Sequence, residues 1–232
     1  GVLLAVAIGQ TKPQTLTPKP SAALRAAAAF ALGKLHASRS EWDAALAAYE
    51  EARKGFEEAG DKMGEAKTLH GIGVVHYSRS DFPKALENWE KAATLFEASN
   101  HKKGVARTLG KIGLVHRSLG DYVKALSFYE RSLEIAEEIG DRKGAALTLA
   151  NLCNEKFGPA ANRIPFGERA LAIAEEIGAP ERIFHAHAAL GAAYAAQARS
   201  AEQGARSEES SSSAPSSAFR VPRSKARLNA LS

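Results

Sequence analysis

The sequence predicts an all-α solenoid: helix-turn-helix pairs stacked one on the next and closed by a C-terminal capping helix. Three observations carry this expectation. The chain repeats itself with a period of 40 residues, its turns carry glycine followed by aspartate at Gly60-Asp61, Gly120-Asp121 and Gly140-Asp141, and its aromatic content is only 7% of 232 residues while alanine is abundant. Alanine is the best helix former and a poor strand residue, so closely packed helices are favoured over a sheet.

The repeat shows most clearly between residues 64–76, GEAKTLHGIGVVH, and residues 104–116, GVARTLGKIGLVH, where glycine, alanine, threonine, leucine, isoleucine, glycine, valine and histidine recur in step. A period of tens of residues fixes the architecture before any local assignment, because each unit buries its core only against its neighbours. The same frame places Leu32, Gly33 and His36 one period earlier. In the second half of each unit, Trp42, Ala45 and Tyr49 return as Phe82, Ala85 and Trp89, then as Tyr122, Ala125 and Tyr129.

The units fall at about 21–60, 61–100, 101–140 and 141–178. The fourth begins with Gly144, Leu149 and Leu152, then carries Cys153 at the glycine position and meets Pro159 and Pro165, so its second helix is expected to be shortened at the front. Residues 179–199 form a capping helix with Leu190-Gly191 and Tyr194. A flexible segment is expected over 1–20 and a disordered, serine-rich basic tail over 200–232, which holds too little apolar surface to offset ordering entropy.

Within each helix the pattern is amphipathic. Leu126, Tyr129, Leu133 and Ala136 follow the three-to-four spacing of a buried stripe, while Lys124, Glu130, Glu134 and Glu137 take the wet side. At the turns, glycine accepts a left-handed backbone and the following aspartate caps the next helix.

These residues resemble the tetratricopeptide repeat, in which a large residue, Leu-Gly and an aromatic mark the first helix, and alanine then an aromatic mark the second. Here the pattern reads Leu109, Ile112-Gly113 and His116, then Ala125, Tyr129 and Ser132. The period of 40 resembles the long-helix variety found in cell-polarity scaffolds, kinesin light chain-like proteins and bacterial signalling regulators. Two departures stand out: histidine replaces the usual aromatic at 36, 76 and 116, and the proline expected late in the second helix is missing. The resemblance implies a right-handed superhelix whose first helices line a concave groove, and a non-catalytic role in binding other proteins.

Signals for catalysis are weak. His36, His76 and His116 occupy equivalent places in units stacked about 8–10 Å apart, whereas zinc ligands sit near 2 Å from the metal, so packing explains them better than a metal site. Cys153 is expected to be a buried, inert thiol. A single cysteine supplies neither a disulfide nor a thiolate cluster. The pairs Glu57-Glu58, Glu137-Glu138 and Glu175-Glu176 recur with the repeat as a solvated face. Neither a phosphate-binding GK[ST] loop nor HExxH nor CxxC occurs, and no cofactor is expected.

Charge points the same way. The formal balance is +5, but residues 1–20 and 201–232 each contribute +2, leaving little excess for the repeats and no case for nucleic acid. The apolar run at residues 1–8 is far short of the roughly 20 needed to span a bilayer. It is compatible with the end of a signal peptide, and a cytoplasmic location is the expectation.

By the resemblance, the outward positions of the first helices form the binding groove. They are Lys34, Lys67, His70, Tyr77, Arg107, Lys111, Arg117, Asn151 and Asn154, with Phe30 beside Lys34. Arg107 and Lys111, expected to point away from the core, resemble the basic pair of a carboxylate clamp, although Phe30, Lys34 and Gly71 stand where that clamp has a lysine and two asparagines. A basic groove favours an acidic peptide or helix as partner. The expected role is an interaction scaffold or adaptor; the alternative is a sensor or regulatory portion of a larger signalling protein or enzyme.

Overall fold

The computed structural model describes residues 21–154 and 159–212, with side chains as far as residue 207. Among the described residues there are nine helices: α1 Ala22–Ser38, α2 Trp42–Glu58, α3 Lys62–Ser78, α4 Phe82–Ala98, α5 Lys102–Ser118, α6 Tyr122–Glu138, α7 Arg142–Leu152, α8 Ala160–Glu176 and α9 Pro180–Ser212. The chain divides into two compact units between Thr148 and Leu149.

The first unit follows a strict metre. Each of α1 to α6 is 17 residues long, and the turn that follows each places a left-handed residue every twenty positions, at Ser40, Gly60, Ser80, Asn100, Gly120 and Gly140. Seventeen helical residues and a three-residue turn, taken twice, make the period of 40. Only half of these turns use the expected glycine. Serine in the left-handed region is strained, so Ser80→Gly should raise thermal stability by roughly 0.5–1 kcal/mol, the relief exceeding glycine's extra unfolded-state entropy. Lower stability in thermal unfolding would contradict the strain at Ser80, where φ is 60°.

Short turns make consecutive helices antiparallel neighbours, and each helix from α1 to α6 packs on the next, while α1 touches α3 and α3 touches α5. The first helices thus stand side by side. Within each pair a glycine faces an aromatic ring. A Cβ on Gly33 would lie 2.6 Å from Tyr49, one on Gly73 2.5 Å from Trp89, and one on Gly113 3.0 Å from Tyr129. The glycines are therefore sockets for the rings. Trp89, wholly buried with Ala85, Ile112 and Val115, is the largest of these plugs.

The conserved metre also explains the exposed leucines of α1. Leu32 and Leu35 are about half exposed, whereas their repeat equivalents Ile72 and Val75 are buried against Ala45 and Tyr49 of α2. No helix precedes α1 among the described residues to do the same for it.

The histidines at 36, 76 and 116 clip each first helix to the second. His36 meets Glu41, His76 Nδ1 lies 3.4 Å from Asp81, and His116 Nδ1 lies 3.9 Å from Asp121. Among the described residues no cluster of histidine, cysteine and carboxylate groups could hold a metal ion.

The second unit departs from the sequence expectation. Its second helix is not shortened: α8 keeps 17 residues, with Pro159 at its N-cap and Pro165 inside. The shortening falls on α7, which has 11 residues. Pro159 flanks the helix where its missing N–H costs nothing. Pro165 removes only a bond to Ala161, and both residues are exposed, so water can serve that carbonyl. The buried Arg163 guanidinium donates to the Cys153 carbonyl at 2.8 Å, satisfying the backbone just past the end of α7.

The socket is also inverted here. Cys153 takes the glycine place and Gly167 the aromatic place; a Cβ on Gly167 would lie 2.8 Å from Cys153 Sγ and 3.0 Å from Leu190 of α9. Cys153 is buried as expected, and burial pushes its thiol pKa up. Hydrogen exchange should be faster through the first two turns of α8 than through those of α6; equal protection would contradict the loss of a bond at Pro165. Residues 155–158, part of the region expected to open first, lie outside the described residues.

α9 is helical as far as Ser212, beyond residue 199 where the sequence reading ends the cap, and residues 197–207 are exposed throughout. The expected flexible segment over 1–20 and the tail from 213 lie outside the described residues. No helix among those described is long and apolar enough to cross a membrane.

Candidate peptide-binding cleft

Because the first helices stand side by side, their outward residues meet across the seams. A cleft of about 390 Å³ opens there in the first unit, lined by Phe30 and Lys34 of α1, Tyr49 of α2, Lys67, His70, Gly71 and Val74 of α3, and His101, Lys103, Gly104 and Arg107 at the front of α5. Among the described residues no carboxylate lines it. Lys34 sits 6.0 Å over the Phe30 ring. Lys103 is already bonded to Asp141 at 3.1 Å, which leaves Lys34, Lys67 and Arg107 as the cations the cleft can offer. Burial lowers the Arg107 pKa, and Asp141 partly offsets this.

Four of the nine expected groove residues come together in this cleft: Lys34, Lys67, His70 and Arg107. Tyr77 does not join them. Its ring packs 5.6 Å from Phe82 and 5.9 Å from Trp89, and its hydroxyl lies 3.2 Å from Ser118 Oγ. Lys111 and Arg117 are half-buried on α5 and line no part of the cleft. Asn151 and Asn154 belong to the second unit. His101, Lys103, Tyr49 and Val74 were not anticipated. His101 was the legible one among them, since it interrupts the aspartates at 61 and 141.

His70 is the unusual member. Only 8% of it is exposed, and its Nδ1 lies 3.0 Å from the hydroxyl of the fully buried Thr108. Burial first, then the Arg107 and Lys111 charges, push its pKa down to about 3, so the ring is neutral at physiological pH. Its backbone carbonyl accepts the Trp89 indole N–H at 3.0 Å, which ties the cleft floor to the core.

A larger cleft of about 630 Å³ lies between α2, α3 and α4 and is lined by Glu50, Glu65 and Glu87. These carboxylates are already paired, with Arg53 at 3.0 Å, Lys62 at 3.1 Å and Lys91 at 2.7 Å. Size alone therefore does not single it out.

Glycine sockets, aromatic plugs and a strict 40-residue metre match a known sequence family: the tetratricopeptide repeat profile fits residues 24–98, 64–138 and 104–154. This chain belongs to the tetratricopeptide repeat family. Solved structures share its fold. Aspartyl phosphate phosphatase F from Bacillus subtilis aligns with a TM-score of 0.70 at 15% identity, covering 80% of this chain and 49% of that one. A Rap protein solved with competence and sporulation factor aligns with a TM-score of 0.67 at 16% identity, over 79% of this chain and 52% of its own. A kinesin light chain with nearly identical TPR-like repeats from Podosopora anserina gives a TM-score of 0.61 at 12% identity, over 77% and 89%. This tetratricopeptide repeat chain spans about half the length of the first two. Among curated proteins none matches the sequence.

Proposed function

We propose that this chain is a non-catalytic interaction scaffold whose first unit captures an acidic peptide in the α1–α3–α5 cleft. The observation that carries the reading is the convergence of Lys34, Lys67 and Arg107 on a cleft lined by no carboxylate. Phe30 and Val74 supply an apolar wall beside the cations, so the fitting ligand places an acidic residue next to an apolar one. Charge-assisted bonds hold such a group and steer its approach. The Rap protein solved with competence and sporulation factor supports the reading, as a protein of the same fold in complex with that factor, as does a Rap conjugation gene regulator solved with the Phr* peptide. A cytoplasmic setting fits it too. A second reading, the regulatory portion of a longer signalling protein, is favoured by the half-length coverage of that protein and of the phosphatase.

The test is the double reversal Lys67→Glu with Arg107→Glu, two exposed positions whose change leaves helical content by circular dichroism intact. Fluorescence binding of labelled hexaglutamate should weaken at least about tenfold, as expected when charge-assisted bonds of ~1.5–3 kcal/mol are lost. It should also weaken with salt, which screens exposed charges over about 8 Å at physiological ionic strength. Undiminished binding would refute the cleft as the acidic-peptide site.

A further inference from the structure

The cleft floor carries a hydrogen-bonding arrangement that the cations alone do not explain. Thr68, one period before Thr108, donates its hydroxyl to Gly64 O in its own helix at 2.8 Å. Thr108 makes no such bond. Its hydroxyl is fully buried, and the acceptor within reach is His70 Nδ1 at 3.0 Å. A buried hydroxyl that does not donate forfeits a hydrogen bond, so the Thr108 O–H donates to the lone pair of His70 Nδ1. A neutral imidazole with its Nδ1 lone pair engaged carries its hydrogen on Nε2. That nitrogen belongs to a ring more than nine-tenths buried that lines the cleft.

His101 repeats the arrangement by another route. Its Nδ1 accepts the Gly104 backbone N–H at 2.9 Å, which in the neutral ring assigns the hydrogen to Nε2, and it lines the same cleft. Two neutral rings thus line the cleft beside the cations.

We propose that His70 Nε2–H is a specificity-determining donor that binds a carboxylate oxygen of the peptide ligand, and that Thr108 is the positioning residue that fixes the required tautomer. The inference rests on the acidic-peptide reading above. A fixed neutral donor adds direction to a site whose lysines supply only charge: the cations attract any anion, while the imidazole N–H selects an oxygen at one place. Because the hydrogen is held by tautomer choice and not by protonation, the donor is available without the ring carrying charge.

The test is nitrogen NMR of the histidine side chains in the whole chain, with and without hexaglutamate. In the free protein His70 should show a protonated Nε2 and a bare Nδ1, and hexaglutamate should shift the Nε2–H signal. Thr108→Val removes the hydroxyl with little change in shape; it should let the Nδ1–H tautomer appear and weaken hexaglutamate about fivefold, the worth of one hydrogen bond near 1 kcal/mol. Thr108→Ser should restore both readouts, which a merely structural role for the hydroxyl would not require of the tautomer. A hydrogen found on Nδ1 in the free protein overturns the inference. So does an Nε2–H that stays unmoved while the Arg107 side-chain signals shift, an outcome that leaves the acidic-peptide reading standing. Failure of hexaglutamate to shift either signal would remove that reading and this one together.

Discussion

Trp89→Ala is expected to destabilise the first unit by about 3–5 kcal/mol, the range for deleting a large aromatic from a packed core. The side chain is fully buried, fills the socket at Gly73, and donates its indole N–H to the His70 carbonyl at 3.0 Å. Its loss opens a void among Ala85, Ile112 and Val115 that rigid helices cannot close. Chemical denaturation followed by circular dichroism measures the cost. Trp89→Phe should lose less, because it keeps much of the ring volume and forfeits the N–H. A cost below about 1 kcal/mol for the alanine variant would mean that the seam between α3, α4 and α5 is looser than its burial indicates.

The second large effect is acid sensitivity. The His70 pKa is about 3 in the folded protein against an ordinary 6.5. Between those values the unfolded chain takes up a proton that the folded chain refuses, so stability is complete above pH 6.5 and falls as the pH drops toward 3. At pH 5 the loss from this residue is about 2 kcal/mol, since 1.5 units of unequal protonation are worth 1.36 kcal/mol each. His76, also lowered chiefly by burial, adds a smaller effect of the same sign. His70→Gln should flatten most of the decline in melting temperature between pH 7 and pH 5. An unchanged decline in the variant would show that His70 titrates normally.

How much of this was legible depended on whether a property repeats. The helices, their order and the glycine sockets follow from residues 40 apart, so the pattern of 64–76 and 104–116 was enough to read them. The cleft was legible only in part. Lys34, Lys67 and Arg107 follow from the outward face of the first helices, whereas His70 lines the cleft from a buried position, and His101 and Lys103 join them because the front of α5 lies against the cleft, a matter of tertiary packing. Lys111 and Arg117 share a helix with Arg107 yet turn to half-buried positions. In the fourth pair the prolines at 159 and 165 were read as shortening the second helix, and α8 keeps its full 17 residues around them. A proline beside a helix start is tolerated, and the chain ends α7 early instead.

The likeness of α3 and α5, which agree at ten of 17 positions, has a consequence for how the chain finds its own structure. Two helices so alike offer each second helix a wrong partner one period away, and repeat proteins are prone to such misassembly. The second helices carry different polar addresses. On α4, Trp89 delivers an N–H to the His70 carbonyl; on α6, Ser132 delivers a hydroxyl to the Ala106 carbonyl at 2.8 Å. Tyr129 has no indole N–H, and Ala92, one period before Ser132, has no hydroxyl. A shifted pairing finds the same backbone acceptors at Gly110 and Ala66, but it sets Ser132 against the His70 side chain where Gly110 leaves room, a Cβ on Gly110 already lying 3.3 Å from Ser132 Oγ. Packing makes the repeats stackable in many registers, and the size of the side chain at 70 against 110 gives α4 and α6 different neighbours.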